Sequence, residues 1–555
     1  MAKRSRRNKQ RQEIGPAMRS ASARTSSITN WKMFLLQVAM IATATLWIYW
    51  PALHGDWLWD DTVYITENAI TQSPTGLENI WFEPGSLSDY YPIEASVQWM
   101  QWRLWGPDSY DYHLTNVILH LLNALLVWRL LAKLGLRLAW LGGLIFAIHP
   151  VVVESVAWVA ELKNTLSLPF FLLAMCSFID YDESENPKNY FLALGLFLVA
   201  MLCKTTMVMF PVIILLYLWW KRNRVGIRGL RLSAPFFAIS LGLGLATVWF
   251  QHHRTGNYDI PIGGFLPHLT LIGLSVSFYF ALCLWPADLL TMYPKWPIDP
   301  PSLIQLLPWP ILVGMIGWFW MKRADWGRHA LLGIGFFLIN ILPFAGFIVA
   351  SYMRFSWVMD HFLYIPLIGL IGLAVAGIGQ VEKQLSKPVR SYLIGITAAI
   401  MALMAWESHG YARLYINQTT LWTYIIEHNP NAWLAHYNLG FVLAHENRID
   451  EAITQYQQTL KIKPDYVDAL NNLGACFFQT NRIPEAIDLY RKVLKITPND
   501  AGTRSNLGLA LLQSNRIPEA IEEFEEALKI NPDLPGVQKS LEEARQLQNA
   551  APTKN

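Results

Sequence analysis

Charge is scarce in this chain. Only 15% of its 555 residues are Asp, Glu, Lys or Arg, where an average soluble protein carries about 25%. That excludes an ordinary soluble enzyme for most of the length. Cysteine is scarce too. The four present (Cys176, Cys203, Cys283 and Cys476) lack metal-ligand spacing, and three lie in apolar stretches, so they read as packing residues. There is no Gly-rich phosphate loop for ATP, no Cys/His zinc pattern and no Gly-x-Ser-x-Gly nucleophile elbow. An ion transporter would be expected to break its helices at mid-membrane in repeated halves. Here the charged residues gather toward one interface instead.

What the chain has in abundance is apolar length. It is 53% hydrophobic with 25 Trp, which suits interfacial aromatic belts. Twelve apolar stretches are read near 33–50, 113–132, 136–148, 164–179, 189–203, 205–220, 233–250, 268–285, 303–321, 329–350, 361–379 and 391–406. Several are shorter than the ~20 residues a span needs and are expected to continue as helix into the adjoining loops. Only helices are expected, because in lipid each backbone group must be satisfied within its own segment. The fold class is therefore all-α, a polytopic membrane domain over 31–410.

Charge sets the sides. Residues 1–30 carry eight Lys/Arg and one Glu and read as a basic cytoplasmic tail, not a nucleic-acid arm. The stretch 54–112 has ten Asp/Glu and one Lys/Arg and reads as outside. The turn 221-KRNRVGIRGLR-231, with five Lys/Arg and no acid, reads as inside, and 322-KRADWGR-328 and 382-EKQLSKPVR-390 follow more weakly. Three apolar stretches between the first two inside turns give the wrong parity. The segment 268–301 is thus expected to be re-entrant or interfacial on the outer face. About eleven crossings remain, and the C-terminal domain falls outside.

That domain shows a repeat. Pro430, Pro464, Pro498 and Pro532 are spaced by 34, as are Leu439-Gly440, Leu473-Gly474 and Leu507-Gly508. A 34-residue period with small residues at a helix crossing is the tetratricopeptide pattern. Three repeats span 431–532, preceded by a linker and half-repeat at 411–430 and followed by a capping helix and tail at 533–555. Asn438, Asn472 and Asn506 precede each Leu-Gly pair and would stack as a ladder of amides able to hold an extended acceptor chain. Asn is also simply common at that repeat position.

Polar residues collect at the predicted outer face. Asp60 and Asp61 follow the first span, amid Trp57, Trp59 and Tyr64. His113, Asn116, His120 and Asn123 form one stripe of the second span. The next outer turn brings His149, Glu154, Glu161 and Lys163, a later break brings Lys204, and a late turn brings Arg354, Asp360, His361 and Tyr364. Ionisable groups at membrane depth default to function, although each alone could serve helix packing.

In order along the chain, the acidic pair, 91-YPIEASVQW-99, 110-YDYHLTNVILHLLNALL-126, 149-HPVVVESVAWVAELKNTLS-167, 203-CKTTM-207, 359-MDHFLYIPLIG-369 and the repeats resemble the transmembrane and tetratricopeptide-repeat-containing O-mannosyltransferases and their prokaryotic relatives, in the glycosyltransferase C superfamily. The short array and compact loops resemble a prokaryotic member, in a plasma (inner) membrane. The resemblance implies a polyprenyl-phosphate sugar as co-substrate, used at the non-cytoplasmic face where the repeats would lie. It also implies a hydroxyl acceptor on protein or peptide, presented by the repeats. It places the catalytic carboxylate in the pair Asp60/Asp61, favouring the first, with Glu154 as a further catalytic candidate. Lys163, Lys204, Arg354 and His361 are then candidates for the donor phosphate. His113, His149, Asp360 and Tyr364 would support the site, and Asn438, Asn472 and Asn506 would hold acceptor. Two cations of the usual pattern are missing, replaced by Leu162 and His361, which leaves the sugar open. A base on the hydroxyl and direct displacement would invert the anomeric centre. A second carboxylate could orient acceptor or hold a divalent ion. The rival readings are a lipid-linked oligosaccharide polymerase or ligase, which usually has a large late outer loop, and a non-catalytic membrane-tethered scaffold.

Overall fold

The computed structural model describes residues 31–550 except 84, 86, 88–89 and 255–259; the basic segment 1–30 lies outside the described residues. All regular elements among them are helical. We number the longer helices α1 (Trp31–Tyr49), α2 (Pro92–Trp105), α3 (Tyr110–Lys133), α4 (Ala139–Ile148), α5 (Val153–Ala157), α6 (Leu162–Ser184) and α7 (Pro187–Cys203). There follow α8 (Phe210–Arg222), α9 (Gly226–Arg254), α10 (Phe265–Leu284), α11 (Pro308–Met321), α12 (Gly327–Ile341), α13 (Leu367–Gln384) and α14 (Lys387–Ala412). By length and composition eight of the described helices could cross a membrane, or nine if α4 and the short bent helix after it form one broken span. Helices α7 and α8 are shorter, at 17 and 13 residues.

Two ends of the bundle differ chemically. At one end the basic turns meet acidic partners. Lys221 bonds Asp182 at 3.0 Å and Glu183 at 3.4 Å, Arg228 bonds Glu185 at 2.9 Å, Arg137 lies 3.4 Å from Glu382, and Arg328 donates to Asn223 at 3.1 Å. Lys133–Asp180 and Arg390–Glu382 pair at the same end. Partly exposed pairs of this kind add little stability; their use here is to mark which turns share a surface. At the other end lie the acidic first loop, the 149–164 turn, Lys204 and the 351–364 turn. The backbone N–H of Asp56 donates to Ile416 at 2.8 Å and Ser408 donates to the carbonyl of Ile148 at 2.7 Å. The repeats therefore begin at the acidic end.

Helix α10 has 20 residues and the length to cross, yet both its halves touch the acidic end. Leu271 clusters with Met353 and Trp357, Tyr279 accepts from the Met359 N–H at 3.1 Å, and His149 meets the Cys283 carbonyl at 3.1 Å. A helix long and apolar enough to cross thus stands where 268–301 was expected to be re-entrant or interfacial.

The C-terminal unit comprises α15 (Gln418–His428), the pairs α16 (Trp433–His445) and α17 (Ile449–Ile462), α18 (Val467–Gln479) and α19 (Ile483–Ile496), α20 (Ala501–Gln513) and α21 (Ile517–Ile530), then α22 (Val537–Ala550). The first helix of each pair ends in the same way. Asn447, Asn481 and Asn515 take φ near +60°. The Arg448 N–H then reaches the Leu443 carbonyl at 2.8 Å and the Asn447 N–H the Ala444 carbonyl at 3.1 Å, with equivalent bonds one and two repeats later. This left-handed cap satisfies the last carbonyls and turns the chain sharply. The invariant small residue is set by packing. A Cβ on Gly474 would stand 2.7 Å from the Tyr490 ring, and one on Gly508 2.6 Å from the Phe524 ring. Those are overlaps that the packed ring or the helix itself would have to shift to relieve.

The four cysteines are buried and unpaired, so single exposed cysteines can be introduced as topology probes. Arg224→Cys and Lys539→Cys, in intact cells, are expected to react with an impermeant maleimide from opposite sides of the membrane. Labelling of both from one side would refute the division between basic and acidic ends.

Candidate active site

The acidic pair is split by the local backbone. Trp59 is held at φ +42°, a conformation that costs a non-Gly residue of order 1–3 kcal/mol. Its indole stacks on Trp158 at 5.1 Å and 5°. Asp61, wholly buried, accepts from the Leu58 N–H at 2.8 Å and the Ala160 N–H at 2.6 Å. Its carboxylate thus ties the first loop to the turn that starts α6. Asp60 points the other way and lines a cavity of about 510 Å³.

That cavity also receives Glu161, Lys163, Lys204 and His361. Glu161, at the head of α6, lies between the two lysines, 3.3 Å from Lys163 and 3.5 Å from Lys204. Lys204 follows the C-terminus of α7, where the chain leaves the helix, and also donates to Asn164 at 2.6 Å. It is 5% exposed, and burial lowers its pKa to about 8 against the pull of Glu161. Lys163 is less enclosed, its side chain 19% exposed and lying over the Tyr64 ring at 5.5 Å. Lys204 acts chiefly as a brace, and Lys163 is the cation better placed to meet an anion in the cavity. Leu162, where the family pattern expects a cation, is buried. His361 lies 2.9 Å from Glu154, and burial lowers its pKa to about 3, so the imidazole is neutral near pH 7. One flank of the cavity is α9, whose Leu241, Leu245 and Val248 are also 65, 60 and 54% exposed on the apolar outside of the bundle.

Several expected residues sit elsewhere. Glu154 does not line the cavity; its first turn of α5 points inward and it reaches the cavity only through His361. Asp360 accepts from Tyr293 at 2.7 Å and Tyr411 at 3.3 Å, behind the wall. The α3 stripe is a helix-to-turn zipper. Asn116 donates to the Trp158 carbonyl, Asn123 to the Thr165 carbonyl, and His120 and Asn123 both bond the Tyr364 hydroxyl. His113 is buried beside Gly55. His149 caps the turn at Val151 and bonds the Cys283 carbonyl. The bonds of Asn116, His120, Asn123 and His149 hold these turns in place. Arg354 lines a separate groove beside the first repeat, so it is not brought to Lys163 and Lys204. In the repeats Asn472 donates to Tyr437 at 3.4 Å, Asn438 has a buried amide nitrogen, and Asn506 is exposed. Glu161 is the residue whose role sequence reasoning understated; its signal was two charges two residues apart at a helix start. Among the described residues no three His, Cys, Asp or Glu side chains converge as metal ligands would.

An apolar helical bundle with a charged cavity at one end, joined there to a repeat solenoid, defines the class. The family description for dolichyl-phosphate-mannose-protein mannosyltransferase matches residues 92–249, and tetratricopeptide-repeat descriptions match 431–499 and 477–544. The chain is similar to human protein O-mannosyl-transferase TMTC1, 23% identical over 505 residues, covering 78% of this chain and 56% of that protein. It is similar to human TMTC4, 24% identical over 485 residues, covering 72% and 63%. Tmtc3 of Drosophila melanogaster is 22% identical over 529 residues, covering 78% and 56%. The chain spans a little over half the length of these relatives. A solved structure of MamA matches 24% of the chain at 19% identity and a TM-score of 0.23, a likeness too small to speak to the whole fold. The matches point the same way as the ordered motifs: this chain is similar to the protein O-mannosyl-transferases of the TMTC type.

The split of the pair has a measurable consequence. Asp61→Ala leaves two buried N–H donors unpaired, each worth about 1–3 kcal/mol, and is expected to lower the melting temperature of the purified protein clearly. Asp60→Asn should leave it near the parent value. Equal melting of all three proteins would remove Asp61 as the tie.

Proposed function

We propose that this protein is a membrane glycosyltransferase that moves a sugar, mannose by analogy with its relatives, from a polyprenyl-phosphate donor to a hydroxyl of a protein acceptor. The observation that carries the reading is the single cavity in which Asp60 and Lys163 meet beside an apolar helix exposed to lipid. A polyprenyl chain would lie along Leu241, Leu245 and Val248, with its phosphate at Lys163. The repeats, opening at the same end, would bring acceptor polypeptide. The basic turns favour the cytoplasm for their own end and the extracytoplasmic side for the site.

The chemistry follows from these placements. The leaving phosphate needs charge neutralisation more than a proton, and Lys163 supplies it through a charge-assisted hydrogen bond. Lys204 and Asn164 fix Glu161, and Glu161 in turn holds Lys163 at the cavity. The acceptor oxygen attacks the anomeric carbon as the carbon–oxygen bond to phosphate breaks. The hydroxyl proton passes to the Asp60 carboxylate as general base. One displacement with no enzyme nucleophile inverts the configuration. Trp59, Trp158 and Tyr64 line the cavity where a sugar ring would sit.

Two measurements test this with protein in nanodiscs, a polyprenyl-phosphate mannose donor and a Ser/Thr-rich acceptor. Asp60→Asn keeps size and hydrogen bonding but cannot take the proton, and is expected to lower turnover by about a hundredfold or more. Normal turnover would end its role as base. Lys163→Met is expected to raise the donor concentration needed for half-maximal rate by about tenfold or more, from the loss of a charged hydrogen bond. A donor titration that overlays the parent's would remove Lys163 from the phosphate site.

A further inference from the structure

A second opening lies beside the cavity, on the side of the repeats. It is a groove of about 260 Å³ lined by residues including Met292, Lys295, Arg354, Phe355, Asn429 and Trp433. One wall is the start of the first repeat and the other is made by the 292–295 and 354–355 turns. Asn429 fixes the two walls together, its amide donating to the Met292 carbonyl at 3.1 Å.

The groove is charged with one sign. Lys295 and Arg354 line it, and Lys463 stands at its rim, 3.9 Å from the Trp433 ring and 4.9 Å from the Tyr466 ring. Lys295 lies 4.5 Å over Trp357 and the Arg354 guanidinium 5.0 Å over Phe355. No Asp or Glu is among the lining residues. The cations feel one another: burial first and then Lys463 lower the pKa of Lys295 to about 8, and burial and then Arg354 lower that of Lys463 against the pull of Asp468 beyond the rim. Lys295 and Lys463, crowded by like charge and set on aromatic faces, gain when an anion enters between them.

The groove is also on a route. Phe355 is a wall of both the groove and the Asp60 cavity. Ring contacts run without a gap from the repeats to the acidic pair. Tyr437 meets Tyr466 at 5.0 Å, Tyr466 meets Trp433 at 4.8 Å, Trp433 meets Phe355 at 5.7 Å, and Phe355 meets Trp59 at 6.2 Å. At the far end Asn472 of the second repeat bonds the Tyr437 hydroxyl. A chain lying on the repeats and reaching Asp60 would pass over this groove.

We infer that the groove binds carboxylates of the acceptor polypeptide, so that hydroxyls with Asp or Glu nearby in sequence are preferred. The inference rests on the transferase reading for its purpose, but its recognition chemistry is separate. A peptide is favoured over a lipid headgroup because the walls are repeat and loop, whereas the lipid-exposed wall of α9 borders the other cavity. Planar guanidinium and flexible ammonium groups suit carboxylates, and the aromatic faces suit the intervening backbone and side chains.

The test is binding, measured by fluorescence anisotropy with the full chain in zwitterionic nanodiscs. Two labelled peptides of equal length are compared, one alternating Thr and Glu, the other Thr and Gln. The acidic peptide is expected to bind about tenfold more tightly or better, the worth of one or two charged hydrogen bonds, with the advantage shrinking in about 0.5 M salt. Lys295→Gln/Lys463→Gln should abolish the preference, Lys295→Arg/Lys463→Arg should keep it, and Lys539→Gln on the distant cap helix should not change it. Equal affinity for both peptides, or a preference undiminished in the double Gln variant, overturns the proposal. So does a preference that vanishes when phosphatidylglycerol is included in the nanodisc, which would assign the groove to lipid headgroups. Transfer of mannose to the same peptides is scored separately. Binding preference without transfer would defeat the transferase reading and leave the groove standing; transfer without preference would do the reverse.

Discussion

The bond that most of this site depends on is made by the carboxylate of Asp61 to two backbone amides, Leu58 and Ala160, from segments a hundred residues apart in sequence. Amide donors in a water-poor layer must find acceptors, and Asp61 supplies both. The bond fixes the first loop on the turn that begins α6. With that register set, Trp59 stacks on Trp158 in its strained conformation, and Asp60 lines the cavity. The same turn carries Glu161 and Lys163. A buried carboxylate that never meets substrate thereby sets the distance between the proposed base and the proposed phosphate contact.

The rest of the acidic end obeys one electrostatic rule. Buried ionisable groups in a low-dielectric bundle, charged or neutral, need hydrogen-bonded partners. Glu161 sits between two lysines, His361 against Glu154, and Asp360 under two tyrosine hydroxyls. Of these, the sequence alone offers Glu154 as a catalytic candidate, His361 as a phosphate candidate and Asp360 as a supporting one. Asp60 and Lys163 line the same cavity and are only partly buried, one carboxylate and one ammonium. Sugar transfer from a phosphate requires that complement, a proton acceptor for the nucleophile and a cation for the leaving group.

This division explains what the sequence could and could not say. The repeats were fully legible, because a 34-residue period with Gly440, Gly474 and Gly508 at the crossing is the physical requirement of aromatic rings on the second helix. That polar residues gather at one end was legible from charge asymmetry between turns. Which member of an adjacent pair faces the cavity was not, since adjacent side chains diverge and the choice was made by Ala160, far along the chain. Arg354 looked equivalent to Lys163 because both follow spans; the turn that holds it folds toward the first repeat instead. The α3 stripe was ambiguous for a different reason. Asn and His on a helix serve packing and chemistry with the same atoms, and only their partners, the Trp158, Thr165 and Ala147 carbonyls and the Tyr364 hydroxyl, decide for packing.

The repeats are docked, not merely tethered. The N–H of Asp56 bonds Ile416, Trp422 is wholly buried against Trp59, and Asn429 bonds Met292. A flexible linker would let the solenoid sample many positions and dilute any chain it carried, because effective concentration falls as the tether lengthens. Docking fixes the first repeat, and each later repeat is placed by its neighbour alone. Acceptor surface can then be lengthened or altered at the far end of the solenoid without moving Trp433, Phe355 or Asp60. For the proposed transferase this separates two tasks that would otherwise conflict: a reaction centre that tolerates no displacement, and a binding surface that must accommodate extended polypeptide of varied sequence.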